Sequence, residues 1–460
     1  MTSTDGMGPV IAAVRAAAET HLAGGPAAGL AVAIVRDGKP AWSGGFGMAD
    51  PATGRPMTPD TLLRIASVTK TFTATAVLQL RDEGRISLED PLVAHVPEAR
   101  RIVDPFGTLE RITVRQVLLH VAGLEGGEPI ADPRQPAYPT FAELLARIDE
   151  LRLTRPPDVR WSYANAGYEL LAILVERVSG EPYAERLART VLAPAGLADT
   201  TYAPHGAQAA RCALGQTPGA EPGTWRAAAQ PPDGTLLGDG GLWSTADDLA
   251  RWLAVQCDLV AGRGTDGAPP ILTAASRREM GRPVALVDVE GWATAQALGW
   301  AAFRVDDRGW EGHTGSLPGY RAIAIHRPAD GLGVVALSLG HARPNAVAFA
   351  AARALWTARP EPVPAPVVEP ARPPYGPGPL GPWIALEFGD SLEVREHDGG
   401  LELSHGGTWQ RMVPAGAPGR WRVADEDATP GELVVHVPDE GPGLPETLSV
   451  AGWPLRRPGA

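Results

Sequence analysis

The sequence predicts an α+β protein: one antiparallel sheet covered by helices with a helical subdomain, followed by a small antiparallel β-barrel. Three observations carry this. Strand-like apolar runs stand near both ends of residues 1–357 with helical patterns between them, so early and late strands can join one sheet under the intervening helices. Residues 358–382 carry ten prolines, which no packed element tolerates, and read as a semi-rigid linker or wrapping segment. Residues 383–460 then hold about eight short strand-like runs, the pattern of a small barrel.

Taken in order, residues 7–22 form an amphipathic helix, and the apolar runs 29–35 and 41–47 flank Asp37-Gly38, a hairpin signal. Helical patterns dominate from 67 to about 183. The stretch 67–81 lacks Gly and Pro and stops at Gly84, and 166–178 is a further helix ended near Gly180. Thr245 with Asp248 resembles a capping box opening a helix over 246–255. Strands return at 298–305, 320–326 and 332–339, and a helix follows over 345–356. In the C-terminal part the runs are 383–388, 392–395, 401–404, 409–413, 421–423, 433–437, 447–450 and 453–456, with Asp398-Gly399 and Gly406-Gly407 as turns. There is no internal repeat.

Composition narrows the function. The net charge of -12 argues against nucleic acid and anionic membrane as partners. The first residues show neither a basic region nor an apolar core of a secretory signal, and no apolar run is long enough to span a bilayer. The expectation is a cytoplasmic protein whose two cysteines, Cys212 and Cys257, are free thiols. The ten histidines include no His-x-His or His-Glu-x-x-His pattern, so no metal and no other cofactor is expected.

The chemistry is concentrated in three short stretches. The chain has two lysines, Lys39 and Lys70; its other strong bases are arginines. Arginine stays protonated and serves poorly as a base, whereas a lysine amine titrates when desolvated. Lys70 follows Ser67 by three residues, so both lie on one helix face. There the amine can take the serine proton and make the oxygen a nucleophile. In Trp161-Ser162-Tyr163-Ala164-Asn165 the phenol is a second proton carrier and the Asn165 amide can hold the lysine or a substrate. Alone, that pair reads equally as a core tyrosine and a helix N-cap. In Gly312-His313-Thr314-Gly315-Ser316-Leu317-Pro318-Gly319-Tyr320 three glycines admit another backbone at close range; alone, this is a turn with a surface histidine.

Together and in this order the three stretches resemble the serine β-lactamase and penicillin-binding-protein superfamily, whose signature is Ser-x-x-Lys, then Tyr-x-Asn or Ser-x-Asn, then Lys-Thr-Gly or His-x-Gly. The resemblance is to its class C-like branch and spans about residues 10–355, supported by residues 118–124 and 240–249. It implies a β-lactamase/transpeptidase-like fold over 1–357. It implies Ser67 as acylated nucleophile, Lys70 as its base, Tyr163 as general base and Asn165 as positioning amide. The backbone N–H groups of Ser67 and Ser316 would form the oxyanion hole, with Thr314 and Gly315 binding substrate. His313 stands where β-lactamases usually carry lysine, which disfavours β-lactamase activity and favours a peptidase, esterase or transferase. His120, in His-Val-Ala-Gly-Leu, reads as structural.

The branch divides by acyl acceptor. Cytoplasmic character, an extra C-terminal barrel and the histidine of the third stretch look similar to penicillin-binding-protein-type thioesterases. Those release nonribosomal peptides from carrier proteins by head-to-tail cyclisation and carry a lipocalin-like domain. The partner implied is a peptidyl substrate, presented by a peptidyl carrier protein, with Arg456 or Arg457 orienting it. The alternative is a D-stereospecific aminopeptidase, peptidase or esterase. A catalytically dead binding module is disfavoured by intact Ser67, Lys70, Tyr163 and Asn165.

Overall fold

A computed structural model of the chain describes residues 6–23, 27–126, 138–219, 224–264, 270–287, 294–306 and 308–358, and backbone strands between 383 and 456. The main helices are α1 (Gly8–Ala23), α2 (Thr69–Asp82), α3 (Asn165–Ser179), α4 (Ala246–Val260) and α5 (Asn345–Thr357). Strands β1 (Ala27–Arg36) and β2 (Lys39–Asp50) form the expected hairpin. Its turn residues Asp37 and Gly38 both take positive φ, 53° and 71°, the pair whose twist matches that of the strands it joins.

The late strands are β3 (Ala301–Val305), β4 (Arg308–Leu317), β5 (Tyr320–Arg327) and β6 (Leu332–Gly340). β1 pairs antiparallel with β6, from Leu30 opposite Ser338 to Val35 opposite Gly333. The early and late segments therefore do build one sheet. Its order is Arg55–Pro56, β2, β1, β6, β5, β4, β3, Thr294–Gln296, Ala285–Leu286. Because side chains alternate along a strand, Leu30, Val32 and Ile34 pack with Val10 and Val14 of α1 and Val347 and Phe349 of α5. Ala31, Ala33 and Val35 face the opposite layer, which contains α2, α3 and α4. The central strands are thus buried on both faces.

Three local differences from the sequence reading have clear causes. Ser67 lies in a 3₁₀ turn, Ala66–Val68, that precedes α2. The strand expected from 298 begins at Ala301 because Gly299 turns the chain at φ 82°, where an added Cβ would stand 2.3 Å from the Ala74 Cβ. The Thr245 hydroxyl accepts from the Asp248 N–H at 3.0 Å, but the Asp248 carboxylate does not return the bond. It is buried, and it accepts from the Asp199 N–H and the Thr200 hydroxyl.

Eight backbone strands from Trp383–Ala385 to Trp453–Arg456 pair antiparallel, each with the next, and the last returns to the first with Arg456 opposite Ile384. The proline-rich segment lies outside the described residues from 359 on, as does Arg457. Among the described residues no helix is long and apolar enough to cross a membrane.

Trp252 of α4 fastens the helix that follows Ser67. Its ring stacks on Phe72 at 4.4 Å and its Nε1 donates to the Thr71 hydroxyl at 3.1 Å. Trp252→Ala should destabilise the protein by about 3–5 kcal/mol, read from urea unfolding.

Candidate active site

Helix α2 is buried along nearly its whole length, Thr69 through Leu80. A helix buried on all sides must satisfy its polar side chains internally. Its threonines do so: Thr71 donates to the Val68 carbonyl and Thr75 to the Thr71 carbonyl. Thr73 donates to the Gly238 carbonyl at 2.6 Å, and Thr69 accepts from the Leu242 N–H at 3.3 Å. The last two tie the loop 238–242 to α2.

Ser67 is half-buried at the head of this helix, on a turn held from two sides. The Ile65 N–H donates to the Leu242 carbonyl at 3.0 Å. On the other side β4 passes so close that a Cβ on Gly315 would lie 2.2 Å from the Ile65 carbonyl oxygen. This is the close backbone approach that the glycines of the third stretch predict. Ser316 lies opposite Arg321, one residue from the Leu317–Tyr320 pair that closes the β4–β5 turn. In an antiparallel ladder that position directs its N–H away from β5, and β3 pairs only as far as Gly312. The Ser316 N–H is therefore left facing out beside the Ser67 turn, as an oxyanion donor requires.

Lys70 is fully buried. Its Nζ lies 3.1 Å from Ser67 Oγ, 2.6 Å from Asn165 Oδ1 and 3.0 Å from the Asp239 carbonyl oxygen. The Asp239 carboxylate stands 3.5 Å from it. The Tyr163 ring centroid is 4.8 Å from Nζ, within cation–π range. Asn165 is the first residue of α3, whose N-cap is Ala164; its side chain serves the lysine. Ser67, Tyr163 and Asn165 thus converge on the Lys70 amine.

His120 has the structural role that the sequence suggests, and the structure shows what it holds. It is buried at φ 56°. Its carbonyl accepts from the Ser162 N–H at 2.8 Å and its Nδ1 from the Ala164 N–H at 3.1 Å, and its ring stacks on Tyr163 at 4.3 Å. It grips both neighbours of Tyr163 and the phenol ring itself. Burial, with Lys70 nearby, holds its pKa well below 6.5, so it acts as a neutral Nε2–H tautomer. The His-x-x-Gly pattern was visible in the sequence, but nothing there placed it under Tyr163.

His313 is also buried, with Nδ1 2.5 Å from the Thr314 carbonyl, so Nδ1 carries the proton. Burial and the adjacent Lys70 push its pKa down to about 3. It enters the site as a neutral imidazole, not as a replacement for a lysine charge. Thr314 is half-buried beside it. The side chain of Arg456 lies outside the described residues, so neither arginine is placed in the site.

Sequence reasoning missed residues 235–239, just before the supporting stretch 240–249. Leu236 takes φ 54°, and its carbonyl accepts from the Gly240 and Gly241 N–H groups at 3.0 and 2.7 Å. Glu169 Oε1 accepts from the Gly238 and Asp239 N–H groups at 2.8 and 2.9 Å. Ala66, next to Ser67, His120, under Tyr163, and Leu236, in the loop that carries Asp239, are three of the non-glycine residues with left-handed φ. Such strain of about 1–3 kcal/mol per residue concentrates at functional sites.

Chemically, the arrangement can accept the Ser67 proton on nitrogen and stabilise an oxyanion between two backbones. A "Beta-lactamase" family model matches residues 14–357. The D-alanyl-D-alanine-carboxypeptidase/endopeptidase AmpH of Escherichia coli (strain K12) is 29% identical over 281 residues, 60% of this chain and 70% of AmpH. A crystal structure of SurE with D-Leu aligns at TM-score 0.64 and 26% identity, over 98% of this chain and 100% of that one. The octameric penicillin-binding protein homologue from Pyrococcus abyssi aligns at TM-score 0.67 and 21% identity, over 97% and 99%; at that identity the likeness concerns the fold.

Two predictions arise from the geometry. Tyr163→Phe keeps the ring on His120 but removes the hydroxyl, and kcat/KM should fall on the order of 10²- to 10⁴-fold with folding retained. Burial lowers the pKa of His21 to about 4, of His313 to about 3, and of His120 and His326 as well. The unfolded chain therefore binds protons on these rings at a higher pH than the folded protein does. Stability should be full above about pH 6.5 and fall as pH drops towards 4. Tm measured across that range should show the fall, and His313→Gln should make it shallower.

Proposed function

The chain belongs to the beta-lactamase family, and on that premise we propose that it is a serine acyl-transfer enzyme acting on a peptidyl substrate whose acyl-donor residue has the D configuration. The observation that carries the acyl chemistry is Lys70 Nζ within hydrogen-bond distance of both Ser67 Oγ and Asn165 Oδ1. The preference for a D-residue is supported by the SurE structure with D-Leu, which matches over nearly the whole chain, C-terminal strands included.

Within that class we favour release of a nonribosomal peptide from a carrier-protein thioester with head-to-tail closure. Ser67 attacks the thioester, the carrier thiol leaves, and the peptide's own amine attacks acyl-Ser67. A lipocalin-like barrel over 383–460, with Arg456 or Arg457 meeting the substrate, would shield the acyl-enzyme from water. This is the reading of a cytoplasmic enzyme with a carrier protein as partner. The neutral His313 supports it against β-lactam hydrolysis, since the site lacks the second lysine charge that the third stretch usually brings. A second reading, a D-stereospecific peptidase or esterase, is favoured by the likeness to AmpH.

Incubation with a peptidyl thioester ending in a D-residue, followed by mass analysis, separates them. The expected result is a product one water lighter than the free acid, lost in Ser67→Ala. Linear acid alone, still dependent on Ser67, would transfer the assignment to the hydrolase.

A further inference from the structure

We propose that Asp239 is a positioning residue for acylation, acting on Lys70 as the aspartate of a serine–histidine–aspartate triad acts on its histidine. This rests on Ser67 being the acylated nucleophile. A lysine Nζ has three sites besides its carbon. The three polar partners of Lys70, namely Ser67 Oγ, Asn165 Oδ1 and the Asp239 carbonyl, fill them in either protonation state. As an ammonium, Nζ donates to all three. As an amine, it donates to two and accepts from the Ser67 hydroxyl. This shell serves base and conjugate acid alike, so it does not decide which form is favoured.

The Asp239 carboxylate adds a formal charge beside this shell. Its Oδ2 lies 3.5 Å from Nζ, the carboxylate is almost fully buried, and Oδ1 has no hydrogen-bond partner among the described residues. Its charge is therefore spent on the lysine. Three ionisable neighbours of Lys70, namely His120, His313 and Tyr168, are uncharged. His120 and His313 are held neutral by burial. Tyr168 is pushed well above 10 and donates to the Leu118 carbonyl.

In the step itself the Ser67 O–H bond breaks, its proton goes to the Nζ lone pair, and the Oγ–C bond forms as the carbonyl π pair moves onto oxygen. An ammonium appears on a side chain that is itself fully buried. Asp239 stabilises that charge as it develops, and an uncompensated buried ammonium would be costly. Asp239 is held for this by its own N–H to Glu169 and by the Thr73–Gly238 bond of the preceding residue.

The test is the pH–rate profile of Ser67 acylation by p-nitrophenyl acetate, read as the burst and by intact mass, for wild type, Asp239→Asn, Asp239→Glu and Ser67→Ala. Asp239→Asn should slow acylation on the order of 10²-fold and move the acid limb to lower pH by about one unit or more, because the ammonium loses its counter-charge. Asp239→Glu should return the limb towards wild type. If Asp239→Asn does not fold, as judged by thermal unfolding, Asp239→Ser takes its place with the same expectation. An acid limb that stays put in the Asn or Ser variant overturns the proposal, even if the rate falls, since a purely structural residue would behave so. Labelling that survives in Ser67→Ala would instead refute the reading of Ser67 on which it rests.

Discussion

A single buried amine organises the site. Lys70 Nζ has no access to water, so every hydrogen it carries needs an acceptor from the protein. Those acceptors come from separate parts of the chain: Ser67 from the turn before α2, Asn165 from the first turn of α3, and Asp239 from the loop before α4. If any of these moved, a polar group would be left unsatisfied in the core. The catalytic geometry and the packing of the helical layer are therefore one constraint.

Strain and close approach surround that amine. Ala66, His120 and Leu236 sit in the left-handed region, where a non-glycine residue is held only by its surroundings. Those surroundings are visible: the Leu242 and Gly241 backbone behind Ser67, Gly315 of β4 against Ile65, and the His120 bonds to both sides of Tyr163. The antiparallel sheet matters to function chiefly because the end of β4 brings Gly315 and Ser316 to the serine.

Much of this was legible in the sequence because it is periodic or local. The β1–β2 hairpin announced itself by Asp37-Gly38, α3 by its stop at Gly180, and the central pairing of β1 with β6 by the placing of strands at both ends of the domain. Ser67, Lys70, Tyr163 and Asn165 could be singled out because each lies in a short motif. Asp239, Glu169 and the role of His120 were not, because their work is done through contacts over dozens of residues: Glu169 with the Asp239 N–H, and His120 with Ala164. Only the Thr245 half of the Thr245–Asp248 box formed, for the same reason. A tertiary contact, Thr200, took the carboxylate that a local rule assigned to the helix end.

The scarcity of lysine offers a direct view of the central group. With Lys39 and Lys70 the only lysines in the chain, selective ¹³Cε/¹⁵Nζ-lysine labelling yields two side-chain signals. One belongs to Lys39 and the other to the buried Lys70. The decisive measurement is that spectrum before and after Ser67 is esterified. The Lys70 Nζ signal, with slowly exchanging hydrogens, should shift strongly when Oγ becomes an ester, while Lys39 stays in place. A Lys70 signal in fast exchange with water and indifferent to acylation would contradict the buried Ser67–Lys70 couple on which the rest depends.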